Sequence, residues 1–97
     1  ASAFNPAVLR LIASVVNAAR QHNIPCSICG EAAALPDIIP LLIGLKLDTF
    51  SLNPVQILSI KLLISKLDFQ GCSHLAENAC RMSSADDIRA LSRTFLG

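Results

Sequence analysis

Two short apolar segments set between helical stretches constrain the fold of this chain more than any other feature. Ile24–Cys29 and Asp48–Leu52 have the character of strands, and helical patterns precede, separate and follow them. Strands that alternate with helices pair in parallel through right-handed crossovers. Two parallel strands do not make a stable sheet by themselves, and each keeps an open edge. We therefore predict an α/β, helix-rich chain with about two parallel strands, which forms part of a larger (β/α) assembly.

Start and stop signals predict the helices of the first half. Asn5-Pro6 supplies an N-cap followed by Pro at the first helical position, so a long amphipathic helix should begin there. We expect this helix to end near His22-Asn23. A second helix over 38–45 should join the two strands, with Asp37 as its N-cap and Gly44 weakening or ending it.

Three further helices are predicted after the second strand. Asn53-Pro54 repeats the start signal of the first helix, and Asp68 and Gly71 should separate the next two helices. The predicted helices cover residues 55–66, residues 72–82 and the stretch from Ser84 onward. We expect them to cover a barrel, with a partner-binding surface as the alternative.

The apolar content of the chain is aliphatic. Hydrophobic residues make up 53% of its 97 residues, whereas aromatic residues make up 4%. A chain of this length forms at most one domain, residues 1–97, with a thin core. Aliphatic runs suit helices packed on a parallel sheet, so part of this apolar surface is expected to be covered by something outside the chain.

Charge and cysteine content exclude several classes of function. Eight Lys and Arg against seven Asp and Glu give a net charge of +1, which is not the pattern of a nucleic-acid-binding protein. No stretch is apolar enough for a membrane span, and Ala1–Ala3 is not expected to begin a signal peptide because Arg10 interrupts the helix behind it. The four cysteines are therefore expected to be reduced thiols in the cytoplasm.

The strongest chemical signal is Cys29-Gly30-Glu31, at the end of the first strand. Chemistry in α/β proteins collects at such strand ends, because the side chains there face an open crevice. Cys29 is therefore a candidate catalytic residue, and the alternative is a small buried hydrophobic side chain. Gly30 and Glu31 are candidates for supporting a substrate loop, while Glu31 could equally be an N-cap or a solvated carboxylate.

The remaining cysteines and the histidines carry weaker signals. Cys26 and Cys29 form a Cys-x-x-Cys motif, but residues three apart on a strand point to opposite faces. Cys72 and Cys80 lack the matching spacing, so zinc or redox use is disfavoured and these cysteines are expected to pack in the core or on helices. His22 and His74 are expected at a solvated helix end and on a helix surface.

Four motifs, in order along residues 4–97, resemble the C-terminal end of the phosphoenolpyruvate-utilising enzymes. Within that family the resemblance is closest to the enzyme I branch, the phosphoenolpyruvate-protein phosphotransferases of bacterial sugar uptake. The motifs are Asn5-Pro6-Ala7-Val8-Leu9-Arg10-Leu11-Ile12, Ile28-Cys29-Gly30-Glu31, Ile39-Pro40-Leu41-Leu42-Ile43-Gly44-Leu45 and Leu47-Asp48-Thr49-Phe50-Ser51-Leu52.

The resemblance implies the C-terminal portion of a phosphoenolpyruvate-binding (β/α)8 TIM barrel. It further implies an enzyme that transfers phosphate from phosphoenolpyruvate to a histidine on a separate domain, with Mg²⁺, and then to a phosphocarrier protein. The family cysteine that protonates the enolpyruvate carbon maps onto Cys29. The family's substrate-binding arginines and lysine, Mg²⁺ carboxylates and phosphorylated histidine map upstream of residue 1. We therefore expect an inactive segment without bound metal.

The chain also departs from the family pattern. The family often has Gly and Asp where this chain has Ala34 and Leu35, Gly where it has Lys46, and Glu where it has Thr49. These departures suit a divergent paralogue with altered partners. The alternatives for the function are a fragment of a phosphoenolpyruvate synthase or a pyruvate phosphate dikinase, and a non-catalytic interaction module. Open strand edges and uncovered aliphatic faces predict a homo-oligomer.

Overall fold

A computed structural model of the chain describes residues 4–29, 36–47, 49–51 and 54–97. Helices dominate this part of the chain, and two short strands interrupt them. The elements are α1 (Pro6–Gln21), β1 (Ser27–Cys29), a 3₁₀ turn (Pro36–Ile38), α2 (Ile39–Gly44), β2 (Thr49–Ser51), α3 (Pro54–Ser65), α4 (Phe69–Arg81) and α5 (Ala85–Leu96). Their order agrees with the order predicted from the sequence.

The two strands pair in parallel, which confirms the predicted topology. Cys29 at the end of β1 lies in register with Ser51 of β2, and α2 lies in the crossover between the strands. The first strand is shorter than predicted, since Ile24 precedes β1 and its side chain is 57% exposed. The sheet therefore begins at Ser27, the residue after Cys26.

Side-chain caps begin α1 and α5 where the sequence predicted them. The Asn5 side chain accepts a hydrogen bond from the backbone N–H of Ala7 at 2.9 Å, and Ser84 Oγ accepts one from Asp87 at 3.4 Å. Each cap satisfies one of the backbone donors that a helix start leaves unpaired. The predicted end of α1 is also confirmed, because its last residue is Gln21 and His22 is the C-cap.

Two local predictions were wrong. Asp68 caps α4 by accepting from the N–H groups of Gln70 and Gly71, so Gly71 lies inside a helix that begins three residues earlier than predicted. Asp37 does not cap α2, which follows the 3₁₀ turn without a side-chain cap. The first error misplaced the start of a helix, and the second assigned Asp37 to a cap that it does not form.

The crossover helix lies at the centre of the core. Residues Ile38–Leu42 are all fully buried, and each buried aliphatic side chain contributes about 1.5–3 kcal/mol to stability. The most extensive helix contact is between α2 and α4, while α1 packs on α4, and α5 packs on the 3₁₀ turn and α4. The core cluster consists of Phe4, Leu9, Ile38, Ile39, Leu41, Leu42, Ile60, Leu75, Ala79 and Ile88.

Helix α3 covers the core with one face only. Ile60 is 4% exposed, whereas Leu58 is 68% and Val55 is 87% exposed on the other side of the same helix. A helix that is apolar all round is normally buried on all sides. The outer face of α3 is therefore apolar surface that nothing within the described residues covers.

The chain as a whole is as compact as a folded domain of its length. Its radius of gyration is 12.6 Å, against about 13 Å for a typical domain of 100 residues. No helix in the described ranges is long and apolar enough to cross a membrane.

Candidate functional site

The backbone of Cys29 forms the last residue of β1, as the sequence predicted. It lies opposite Ser51, the last residue of β2, so both strands end at the same edge of the sheet. Ligands of parallel sheets bind outside this carboxyl edge. The position suits a catalytic residue, and the role of Cys29 as proton donor remains a prediction. Gly30 and Glu31 lie outside the described residues.

The described part of the chain resumes at Pro36, the first residue of the 3₁₀ turn. Side chains of α5 form hydrogen bonds with this turn. The carboxylate of Asp37 accepts hydrogen bonds from Nε of Arg93 at 2.8 Å and from Nε of Arg89 at 3.3 Å. The hydroxyl of Ser92 donates to the backbone carbonyl of Asp37. We call these four residues, Asp37, Arg89, Ser92 and Arg93, the Asp37 cluster.

The surroundings of the Asp37 cluster are partly shielded from water. The Asp37 side chain is 20% exposed and Ser92 is fully buried. The guanidinium carbon of Arg89 lies 5.5 Å from the ring centroid of Phe4, which is itself buried in the core. A cation over an aromatic face gains electrostatic attraction from the ring. Phe4 and Asp37 together fix the direction of the Arg89 side chain.

The two arginines keep Asp37 ionised. The hydrogen bond from Arg93 is the main cause that lowers the pKa of Asp37; burial opposes it in part, and Arg89 adds to the lowering. A lowered folded-state pKa means that this contribution to stability is present above the unfolded pKa and is lost as pH falls through the folded pKa. Because both arginines are substantially exposed, the pairs contribute about 1 kcal/mol or less each.

No local sequence pattern predicted the Asp37 cluster. Asp37 lies 52 and 56 residues before its two arginine partners, so no local pattern connects them. One signal was available, since Arg89 and Arg93 are four residues apart and share a face of α5. Two cations at this spacing on one helix face repel one another unless an anion lies between them.

The other cysteines have structural positions. Cys72 is buried on α4, Cys80 is partly buried on the same helix, and Cys26 is half-buried just before β1. Burial is the main cause that raises the pKa of the thiols of both Cys72 and Cys80. A raised thiol pKa disfavours the reactive thiolate, which agrees with a packing role.

The described residues form no metal centre. No three His, Cys, Asp or Glu side chains in this part of the chain come close enough together to hold an ion. His22 is the exposed C-cap of α1, and His74 is exposed on α4, as expected from the sequence. The described residues therefore do not supply a ligand set for Mg²⁺.

The chain matches a family of known proteins over most of its length. The family model described as "PEP-utilising enzyme, PEP-binding domain" matches residues 1–69. A phosphoenolpyruvate-protein phosphotransferase of Listeria monocytogenes is 38% identical over 92 residues, which is 95% of this chain and 16% of the relative. The phosphoenolpyruvate-protein phosphotransferase of Mycoplasma pneumoniae is 34% identical over 91 residues, 94% of this chain and 16% of the relative.

A third relative has a different name. The multiphosphoryl transfer protein of Escherichia coli O6:H1 is 38% identical over 90 residues, which is 93% of this chain and 11% of that protein. The chain thus spans between a ninth and a sixth of the length of these relatives. The alignments extend past residue 69, where the match to the family model ends, and therefore reach into the C-terminal helices.

Proposed function

Because the chain belongs to the PEP-utilising enzyme family, as part of its PEP-binding domain, we propose that it is the C-terminal portion of a (β/α)8 barrel in a phosphoenolpyruvate-protein phosphotransferase. The parallel unit of β1, α2 and β2 supports this proposal, since it is the repeating unit of such a barrel. The uncovered outer face of α3 also suits a piece of a larger protein.

The proposed reaction moves phosphate from phosphoenolpyruvate to a histidine on another domain and then to a phosphocarrier protein. Loss of the phosphoryl group leaves enolpyruvate, whose terminal carbon must gain a proton to become pyruvate. We assign the donor as Cys29, whose thiol gives up its proton and later regains one from water. The observation that carries this assignment is the backbone position of Cys29 at the carboxyl edge of the sheet. Gly30 and Glu31 would support the loop beside it.

Other parts of the enzyme must supply the remaining groups. Phosphoryl transfer depends on cations that neutralise the transferring group, and the described residues hold no Mg²⁺ ligand set. We propose that the Mg²⁺ ligands and substrate-binding arginines belong to other segments, and that this segment is inactive by itself. The whole enzyme would act in the cytoplasm in bacterial sugar transport, as a homo-oligomer.

Replacement of Cys29 tests this function in the full-length enzyme. Cys29→Ser should leave KM for phosphoenolpyruvate nearly unchanged and lower kcat by about 10²–10⁴-fold, because a hydroxyl is a far weaker acid than a thiol. Steady-state pyruvate formation measures both constants.

A matched control distinguishes loss of the proton donor from the general effects of replacing a thiol with a hydroxyl. Cys26→Ser makes the same substitution three residues earlier, at a half-buried position outside β1, and should leave kcat within about twofold, since it takes no part in the proton transfer. If the Cys29→Ser variant kept the wild-type kcat, Cys29 would not be the proton donor.

A further inference from the structure

Both described ends of the segment that follows Cys29 are fixed to other parts of the fold. At its start, Cys29 lies in register with Ser51 in the parallel sheet. At its end, the Asp37 cluster joins the 3₁₀ turn to α5. Asp37 follows Cys29 by only eight residues. Asp37 lies in the 3₁₀ turn that leads directly into α2, so the Asp37 cluster also fixes the start of the crossover helix.

The contacts at Asp37 fix the backbone as well as the side chain. Ser92 binds the main-chain carbonyl, while Arg89 and Arg93 bind the carboxylate from the same face of α5. The Ser92 hydroxyl is fully buried, and a buried hydroxyl is costly unless it is hydrogen-bonded. An apolar side chain at that position would avoid this cost but could not hold the carbonyl. The arrangement thus specifies a position for the turn.

We propose that Arg89, Ser92 and Arg93 are positioning residues for the reaction, which act by holding Asp37 and so the 3₁₀ turn and α2, which lie between β1 and β2. This inference rests on the function proposed above. Catalytic groups must be held within a fraction of an ångström, and a displacement of 1 Å can cost about 100-fold in rate. On this view α5 contributes to the reaction by holding Asp37, although it lies beyond the residues that the family model matches.

The first test separates positioning from stability in the full-length enzyme. Asp37→Asn and Arg93→Gln should each lower kcat about 10-fold or more with KM within about twofold, because the substrate-binding groups are elsewhere. The control is Ser84→Ala, which removes the N-cap of α5 and weakens the same helix without touching Asp37. At equal folded fraction, verified by circular dichroism, this control should keep kcat within about twofold. An equal loss of kcat in the control would overturn the inference.

The second test asks whether Asp37 acts through Cys29. If it does, Asp37→Asn should lower kcat in the wild-type background but have almost no further effect in Cys29→Ser, because the group that it positions is gone. If the loss of kcat in the double variant equals the product of the losses in the two single variants, the positioning role is overturned and the function of Cys29 stands. Full activity of Cys29→Ser would instead overturn the proposed function and the inference together.

Discussion

At the scale of single residues, two helices in this chain are followed by a non-glycine residue in the left-handed backbone conformation, which glycine adopts more easily. Asn23 after α1 has φ 54°, and Lys46 after α2 has φ 69°. At both places the chain folds back on the helix, with the N–H of Ile24 bonding to the carbonyl of Ala19 and that of Leu47 to that of Leu42. This left-handed conformation costs an L-residue about 1–2 kcal/mol, and Asn tolerates it better than Lys.

Lys46→Gly should therefore stabilise the chain. Relief of the left-handed strain is partly offset by the greater freedom of glycine in the unfolded chain, so we expect a net gain of about 0.5–1 kcal/mol. Urea unfolding followed by circular dichroism measures it. Asn23→Gly, at the equivalent position after α1, should change stability by less than about 0.5 kcal/mol. Destabilisation by Lys46→Gly would mean that contacts of the lysine side chain outweigh the backbone strain.

At the scale of elements, the backbone of α2 meets the backbone of α4 at Gly44. A Cβ added at Gly44 would lie 2.0 Å from the carbonyl oxygen of Cys72 and 2.8 Å from Cβ of Ala76. Gly44 ends α2, as the sequence predicted, but its absence of a side chain matters more for the approach of α4 than for the helix end. The buried crossover helix can lie this close to α4 only because no side chain separates them.

Gly44→Ala should thus destabilise the chain by about 3 kcal/mol, at the upper end of the usual cost of overpacking, because two helix backbones must move apart. Thermal unfolding gives the change. The control is Gly71→Ala inside α4, where the new Cβ would meet the Asp68 carboxylate and the Phe95 ring at 3.1–3.3 Å. Phe95 is 36% exposed and can move, and alanine favours the helix by about 1 kcal/mol, so this variant should be neutral or slightly more stable. Equal losses in both variants would contradict the argument.

At the scale of the whole molecule, the chain combines a closed core with open apolar surface. The core around α2 is continuous, but Val55, Leu58 and Leu62 form an exposed apolar stripe along α3. Ile24, next to the two-stranded sheet, is exposed as well. Covering such surface gains about 25 cal/mol for each Å² of apolar area removed from water.

We therefore expect the 97-residue chain to self-associate at high micromolar concentration. Light scattering should report a mass above 10.3 kDa, and the double variant Leu58→Lys with Leu62→Lys should shift it toward the monomer without loss of helical structure, because both side chains already face solvent. Val8→Lys, at a half-buried position of α1, is the control that should disturb the fold instead. A monodisperse species of 10.3 kDa for the unmodified chain would refute this expectation.

The sequence by itself determined the elements of this protein and their order. Asn5 and Ser84 cap helices where their local pattern predicted, and the alternation of strands with helices predicted the parallel pairing of Cys29 with the strand at Ser51. The four motifs in order along the chain likewise predicted the family to which it belongs. These properties depend on groups a few residues apart, or on a chain topology with few solutions.

Only the tertiary structure decided which groups meet across the chain. Asp37 had the sequence of a helix cap, yet its carboxylate binds two arginines more than fifty residues away, and the 3₁₀ turn before α2 has no side-chain cap. Gly71 had the character of a helix breaker, yet the cap at Asp68 and the packing of α4 on α2 carry the helix through it. Local preferences amount to about 1 kcal/mol, and burial of an aliphatic core outweighs them, so the partners of these residues depend on the whole fold.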